Sequence, residues 1–166
     1  MNYEIVELGD FPGSVTGIYS VLLEGEGITL FDRFIKENLN KHRDEVKFIL
    51  DRLRVIASKT GARENFFKVG EGNLGDGVCA LYDDPLSKLR VYCIRYGSTA
   101  IILGGGGPKS KSISAYQEDK KLNKEAEIIK KISKDIIQKI KDKEIRWSPD
   151  GTKLLGNLTF TDNEEE

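Results

Sequence analysis

The sequence predicts an α+β fold: an antiparallel sheet of about four strands packed by an N-terminal helix or helices and a C-terminal helix. Three observations carry that prediction. Between Val78 and Tyr116, the apolar, β-prone runs Val78–Tyr82, Leu89–Ile94 and Ala100–Leu103 are separated by the turn signals Asp83-Asp84-Pro85 and Tyr96-Gly97-Ser98. From Phe31 to Thr60, the residues Phe34, Ile35, Leu39, Val46, Ile49, Leu50, Leu53 and Ile56 recur in steps dominated by three and four. The helical spacing returns at Leu122, Ala126, Ile129, Ile132, Ile136 and Ile140. Strands this apolar need cover on at least one face, and the two helical stretches can supply it.

Taken in order, residues 3–8 alternate well enough for a first strand, and residues 9–17, with Pro12 and Gly13, read as loop. Ile18–Leu23 is a second strand, and the Glu24-Gly25-Glu26-Gly27 turn leads to a short strand expected at Ile28–Leu30. The helical stretch is one long helix or two broken near Asn40, with Asp32 in its first turn and Lys59 and Gly61 closing it. Its cations Lys36, Lys41, Arg43, Lys47, Arg52 and Arg54 read as a solvated face. Phe66 and Phe67 should plug the core between helix and sheet, and the glycine-rich stretch up to Gly77 should turn the chain into the sheet. The C-terminal helix is expected over roughly Asn123–Asp142. Trp147, the turn Ser148-Pro149-Asp150-Gly151 and Leu154–Phe160 predict a terminal hairpin. Residues 1–161 thus read as a single domain with an N-terminal strand extension and a C-terminal hairpin, and 162–166 as an acidic disordered tail.

Composition narrows the class. With 166 residues, 39% hydrophobic and 32% charged, the chain can bury a real core and does not resemble a disordered one. No apolar run approaches the ~18 residues of a membrane span, and the acidic start MNYEIVELGDF lacks a secretory layout. A cytoplasmic protein is expected. The cysteines Cys79 and Cys93 fall in neighbouring strands, where a disulfide is open to them and buried free thiols are the expected state. A net charge of −1 excludes a uniformly basic nucleic-acid binder. It conceals a basic stretch: Lys109 to Arg146 holds 12 Lys and Arg against 7 Asp and Glu.

Several chemistries are excluded by residue type. Gly104–Gly107 invite a phosphate-loop reading, but Pro108 stands where a Walker loop needs glycine before its lysine. No dinucleotide-binding glycine pattern with a βαβ unit is present. The single histidine, His42, lies in a charged stretch and is expected at the surface, so no metal ligand set or histidine-based triad is built on it. No cofactor and no metal are expected. What remains is basic and aromatic: Arg90 and Tyr92 alternate with Leu89, Val91 and Cys93, with Arg95 near the end of that face. Lys109 and Lys111 follow the glycines, and Tyr116 comes five residues later. Such a set can hold an RNA strand and stabilise a charged transition state, with Arg as electrostatic stabiliser. An ordinary polar sheet face is the competing reading of the same residues.

The stretch Lys88-Leu89-Arg90-Val91-Tyr92-Cys93-Ile94-Arg95, then Ala100–Leu103, the glycines and Pro108-Lys109-Ser110-Lys111, resembles the RelE/ParE superfamily of bacterial toxins and its HigB-like, phage-derived branch. The resemblance covers about Phe31 to Ser133. It implies a toxin of a type II toxin–antitoxin system: a metal-independent endoribonuclease that enters the ribosome and cleaves messenger RNA, inhibiting translation. Arg90, Lys109, Lys111 and Tyr116 match the family's catalytic positions, and Tyr92, Arg95, Arg63 and Lys68 are the RNA-binding candidates. The implied partners are a cognate antitoxin, expected to be a helix-turn-helix protein, and the ribosome with its messenger; no membrane partner is implied. Where many family nucleases carry strand lysines, this chain has Cys79, Ala80 and Tyr82. The alternatives are a ParE-like inhibitor of DNA gyrase and a non-catalytic binding or regulatory protein on the same scaffold. The hairpin and acidic tail could also mask the basic surface in cis.

Overall fold

A computed structural model describes residues 1–68, 75–82, 88–109 and 115–162. The fold is α+β, as the sequence predicts, but the sheet is larger than expected. Its seven strands are β1 (Tyr3–Glu7), β2 (Gly17–Leu23), β3 (Phe67–Lys68), β4 (Val78–Leu81), β5 (Leu89–Tyr96), β6 (Ala100–Pro108) and β9 (Thr159–Phe160). They lie in the order β3-β4-β5-β6-β2-β1-β9. All neighbours are antiparallel except β2 and β6, which run parallel from Gly17 beside Ala100 to Ser20 beside Leu103. The N-terminal strands are therefore the second half of one sheet rather than an extension of it. A separate hairpin joins β7 (Ile145–Trp147) to β8 (Leu154–Gly156).

Both faces of the sheet are covered. The helices α1 (Leu30–Asn38) and α2 (Arg43–Val55) occupy one side, and α3 (Ala115–Lys141) the other. Phe34, Val46, Ile49 and Leu53 pack against Leu81, Leu89, Val91, Cys93, Ile101 and Leu103. Leu122, Ala126, Ile129, Ile132 and Ile136 pack against Ala80, Tyr92, Ile94 and Ile102. Double cover explains why β4 and the start of β6 read as unbroken apolar runs instead of alternating ones. Burial on both sides removes the polar face.

Of the two expectations for this stretch, one long helix or two broken near Asn40, the structure forms the second, with α1 and α2 as separate helices. The expected strand at Ile28–Leu30 is not formed. Thr29 instead caps α1, its Oγ1 accepting from the Asp32 N–H at 3.1 Å, and an N-cap hydroxyl competes well with a three-residue strand. α1 enters where β2 and β6 part. There the buried Ser20 hydroxyl donates to the Leu103 carbonyl at 2.7 Å and accepts from the Phe31 N–H at 3.2 Å. Beyond α2 the backbone widens into a π-helical turn over Ile56–Thr60, ending at Gly61 with φ of 78°. Phe67 is buried as expected, whereas Phe66 is half-buried beneath the Arg52 guanidinium, 4.6 Å from its ring centroid. The predicted glycine turn at 69–74 and the turn at 83–87 lie outside the described residues.

Gly104–Gly107 are not a loop after the strand; they are its second half. The cause is α3, which crosses them closely. A Cβ at Gly104 would come within 2.5 Å of the Ile129 side chain, and one at Gly106 would collide with the Arg90 carbonyl oxygen. Glycine here admits a helix and a neighbouring strand, which is a packing role rather than a phosphate-binding one.

Cys79 and Cys93 are directly paired in register, buried and free, with their sulfurs 3.6 Å apart. Burial, and then the hydrogen bond with Cys79, pushes the Cys93 thiol well above its ordinary value. His42 is half-buried rather than exposed, because its Nδ1 lies 3.1 Å from the Glu45 carboxylate across the first turn of α2. The terminal hairpin forms as predicted, although Leu154–Phe160 divides between β8 and β9. Asp162 is tied to the chain's start by the Met1 ammonium and by its N–H to Asn2 Oδ1 at 2.9 Å, so the expected tail is anchored at its first residue. Residues 163–166 lie outside the described residues. Among the described residues, no helix is long and apolar enough to cross a membrane.

Candidate nucleic-acid interface

The predicted site residues divide between the two faces of β5. Side chains alternate along a strand, and β5 puts Leu89, Val91 and Cys93 toward α1 and α2 while Tyr92 and Ile94 face α3. Arg90 and Tyr92 share the α3 side, as expected. Arg95 does not: it is on the opposite face, donating from Nε to the Ala62 carbonyl at 2.7 Å, with its guanidinium carbon 5.9 Å from the Phe67 ring centroid. It is also five residues from Arg90, about 16 Å along the strand. Tyr92 is only 7% exposed beneath α3, so it is a core residue and cannot stack a base. The polar face that the sequence suggested is roofed by a helix.

Arg90 is the second residue of β5 and half-buried, with Nη1 donating to the Leu89 carbonyl at 2.9 Å and its guanidinium carbon 5.2 Å from the Tyr82 ring centroid. Across the ladder, the Lys109 N–H donates to the Lys88 carbonyl at 2.7 Å, and both lysine side chains are exposed. Arg90, Lys88, Lys109 and Tyr82 therefore meet at one end of the sheet. Lys111 lies outside the described residues. Tyr116 falls in the first turn of α3, and its side chain lies outside them too. Arg63 is exposed beside Gly61 and Ala62, next to the turn at Ser98 and thus at the other end of β5. Lys68 is exposed on the edge strand β3, in register with Ala80.

Residues that sequence reasoning passed over hold this end in place. Glu45 accepts from the Lys88 N–H at 2.7 Å and from the Leu89 N–H at 3.3 Å. Arg52 donates to the Tyr82 carbonyl at 2.8 Å while covering Phe66, so it is a buttress and not part of a solvated face. A second polar group lies nearby on α3. Glu125 is 3% exposed and takes both its oxygens to Arg33 Nη2, at 2.7 and 2.6 Å, with Lys121 Nζ at 3.2 Å. Its position between Leu122, Ala126 and Ile129 was the available signal: a carboxylate beside the apolar stripe of a helix must find cations. The two groups adjoin, for a Cβ at Gly107, opposite Arg90, would touch Lys121 Cε at 3.5 Å.

The hairpin and Asp162 do not mask these cations. Trp147 packs on Tyr96, ring centroids 4.8 Å apart, at the far end of β5, and β9 lies at the β1 edge of the sheet. Among the described residues, no group of three or more His, Cys, Asp or Glu side chains is arranged to hold a metal ion. Chemically, the Arg90 end offers fixed positive charge and hydrogen-bond donors for phosphate oxygens. Comparison with protein-family models, curated proteins and solved structures finds no match.

Proposed function

We propose that the chain is a toxin of a two-gene toxin–antitoxin system that cleaves messenger RNA at the ribosome, on a RelE/ParE-like scaffold. The observation that carries this reading is the meeting of Arg90, Lys88, Lys109 and Tyr82 at one end of β5 and β6. In the reaction, a ribose 2′-hydroxyl attacks the adjacent phosphorus and the bond to the 5′-oxygen breaks. The products are a 2′,3′-cyclic phosphate and a 5′-hydroxyl. Arg90 stabilises the charge that builds on the phosphoryl oxygens, and Lys88 and Lys109 hold the flanking backbone. A cognate helix-turn-helix antitoxin and the translating ribosome are its partners in the cytoplasm.

Inducing the protein and mapping messenger 5′ ends tests the reading. The expected result is new ends that fall by about 10²-fold with Arg90→Ala, in line with loss of one preorganised charge donor, and fall less with Lys109→Ala. Growth arrest with intact transcripts and trapped DNA breaks would favour a gyrase inhibitor. A second reading, a binding protein without catalysis, is favoured by the burial of Tyr92 and the engagement of Arg95. It predicts neither arrest nor new ends.

A further inference from the structure

Beside the Arg90 end, α1 and α3 enclose a cleft of about 390 Å³ lined by Arg33, Glu37, Lys120, Lys121, Lys124 and Glu125. Four cations face two carboxylates. The carboxylates are committed: Glu125 holds Arg33 and Lys121, and Glu37 lies 3.1 Å from Lys121. Among the described residues, Lys120 and Lys124 have no carboxylate partner, and they stand one helical turn apart on the exposed side of α3. The cleft thus has an excess of positive charge, and the exposed ammonium groups of Lys120 and Lys124 are its uncommitted donors among the described residues.

We infer that this cleft binds a phosphodiester of the same single RNA strand whose reacting phosphate lies at Arg90; the inference rests on the RNA reading above. Lys121 links the two places, paired with Glu125 in the cleft while its chain passes over Gly107, the ladder partner of Arg90. Lys120 and Lys124 contact the backbone without reading bases, so they contribute affinity and not sequence preference.

The test is fluorescence anisotropy with a 2′-O-methyl RNA of about 12 nucleotides, a length within ordinary single-strand sites, which binds but has no attacking hydroxyl. The double variant Lys120→Gln, Lys124→Gln should weaken binding about 10-fold at moderate salt and lower the slope of log affinity against log salt by about 1.4, from two lost contacts. Lys134→Gln with Lys141→Gln, exposed further along the same helix, should change neither. Unchanged affinity and slope in the first variant overturns the inference, even if transcripts are still cleaved. The same result follows if the cleft takes only inorganic phosphate, because RNA binding is then indifferent to it. Loss confined to Lys120 and Lys124, together with intact transcripts in induced cells, keeps the cleft and overturns the nuclease reading instead.

Discussion

At the scale of single residues, the four glycines separate packing from conformational freedom. Gly106 and Gly107 are neighbours in one strand, yet their surroundings differ. A Cβ at Gly106 meets the backbone carbonyl of Arg90, which cannot move without breaking the ladder. A Cβ at Gly107 meets the Lys121 side chain at 3.5 Å, an ordinary contact. Gly106→Ala should therefore cost ~3 kcal/mol or more, the range of overpacked and strained sites, while Gly107→Ala should stay within about 0.5 kcal/mol. Urea denaturation of both variants measures the difference, and equal losses would show that the strand shifts to absorb either methyl. Gly106→Ala should also displace Arg90, so its effect on RNA binding should follow its effect on stability.

At the scale of elements, the ends of α3 explain what was legible and what was not. Its buried stripe of Leu122, Ala126, Ile129, Ile132 and Ile136 was readable from spacing alone, as were β4 and β5, while the spacing left one long helix or two open where α1 and α2 divide. The start of α3 was not, because Ala115–Lys121 carries almost no apolar signal before the stripe begins at Leu122. The face assignments failed for a related reason. Alternation along β5 told which residues share a side, but only the tertiary fold puts α3 over Tyr92 and α2 behind Arg95. Arg90 and Lys109 survived as a pair because they flank the same strand end, a relation that the register of a hairpin fixes locally.

The other end of α3 carries its own prediction. The Lys143 N–H bonds the Ile140 carbonyl and the Glu144 N–H bonds the Lys139 carbonyl, with Lys143 at φ of 62°. That is the double closure of a Schellman motif, in which the left-handed position prefers glycine. Lys143→Gly should raise stability by about 0.5–1 kcal/mol by relieving the Cβ clash. A rise in the urea midpoint with unchanged slope is the expected result; a fall would mean that glycine's unfolded-state entropy outweighs the strain.

At the scale of the whole molecule, Tyr3 joins the two ends of the chain to the α3 layer. Its ring stacks on Phe160 of β9 with centroids 4.7 Å apart, and its hydroxyl donates to Asp135 of α3 at 2.6 Å. Burial first, and then that hydrogen bond, pushes its phenol far above the ordinary value of 10.0. The folded state accordingly keeps a proton that the unfolded chain releases above pH 10.0, so folding binds protons in that range. Stability from this group is complete below pH 10.0 and falls steadily as pH rises beyond it. Tyr96 and Tyr19 are shifted in the same direction by burial and add to the decline. Tyr3→Phe keeps the ring stack and removes the ionising group. It should be less stable by about 1 kcal/mol near neutrality, for the lost hydrogen bond, and should lose less between about pH 9 and 11. Urea titrations of both proteins across that range should draw together as pH rises. Parallel curves would show that the two chain ends come apart before the Tyr3 proton is lost, leaving the α3 layer to unfold without them.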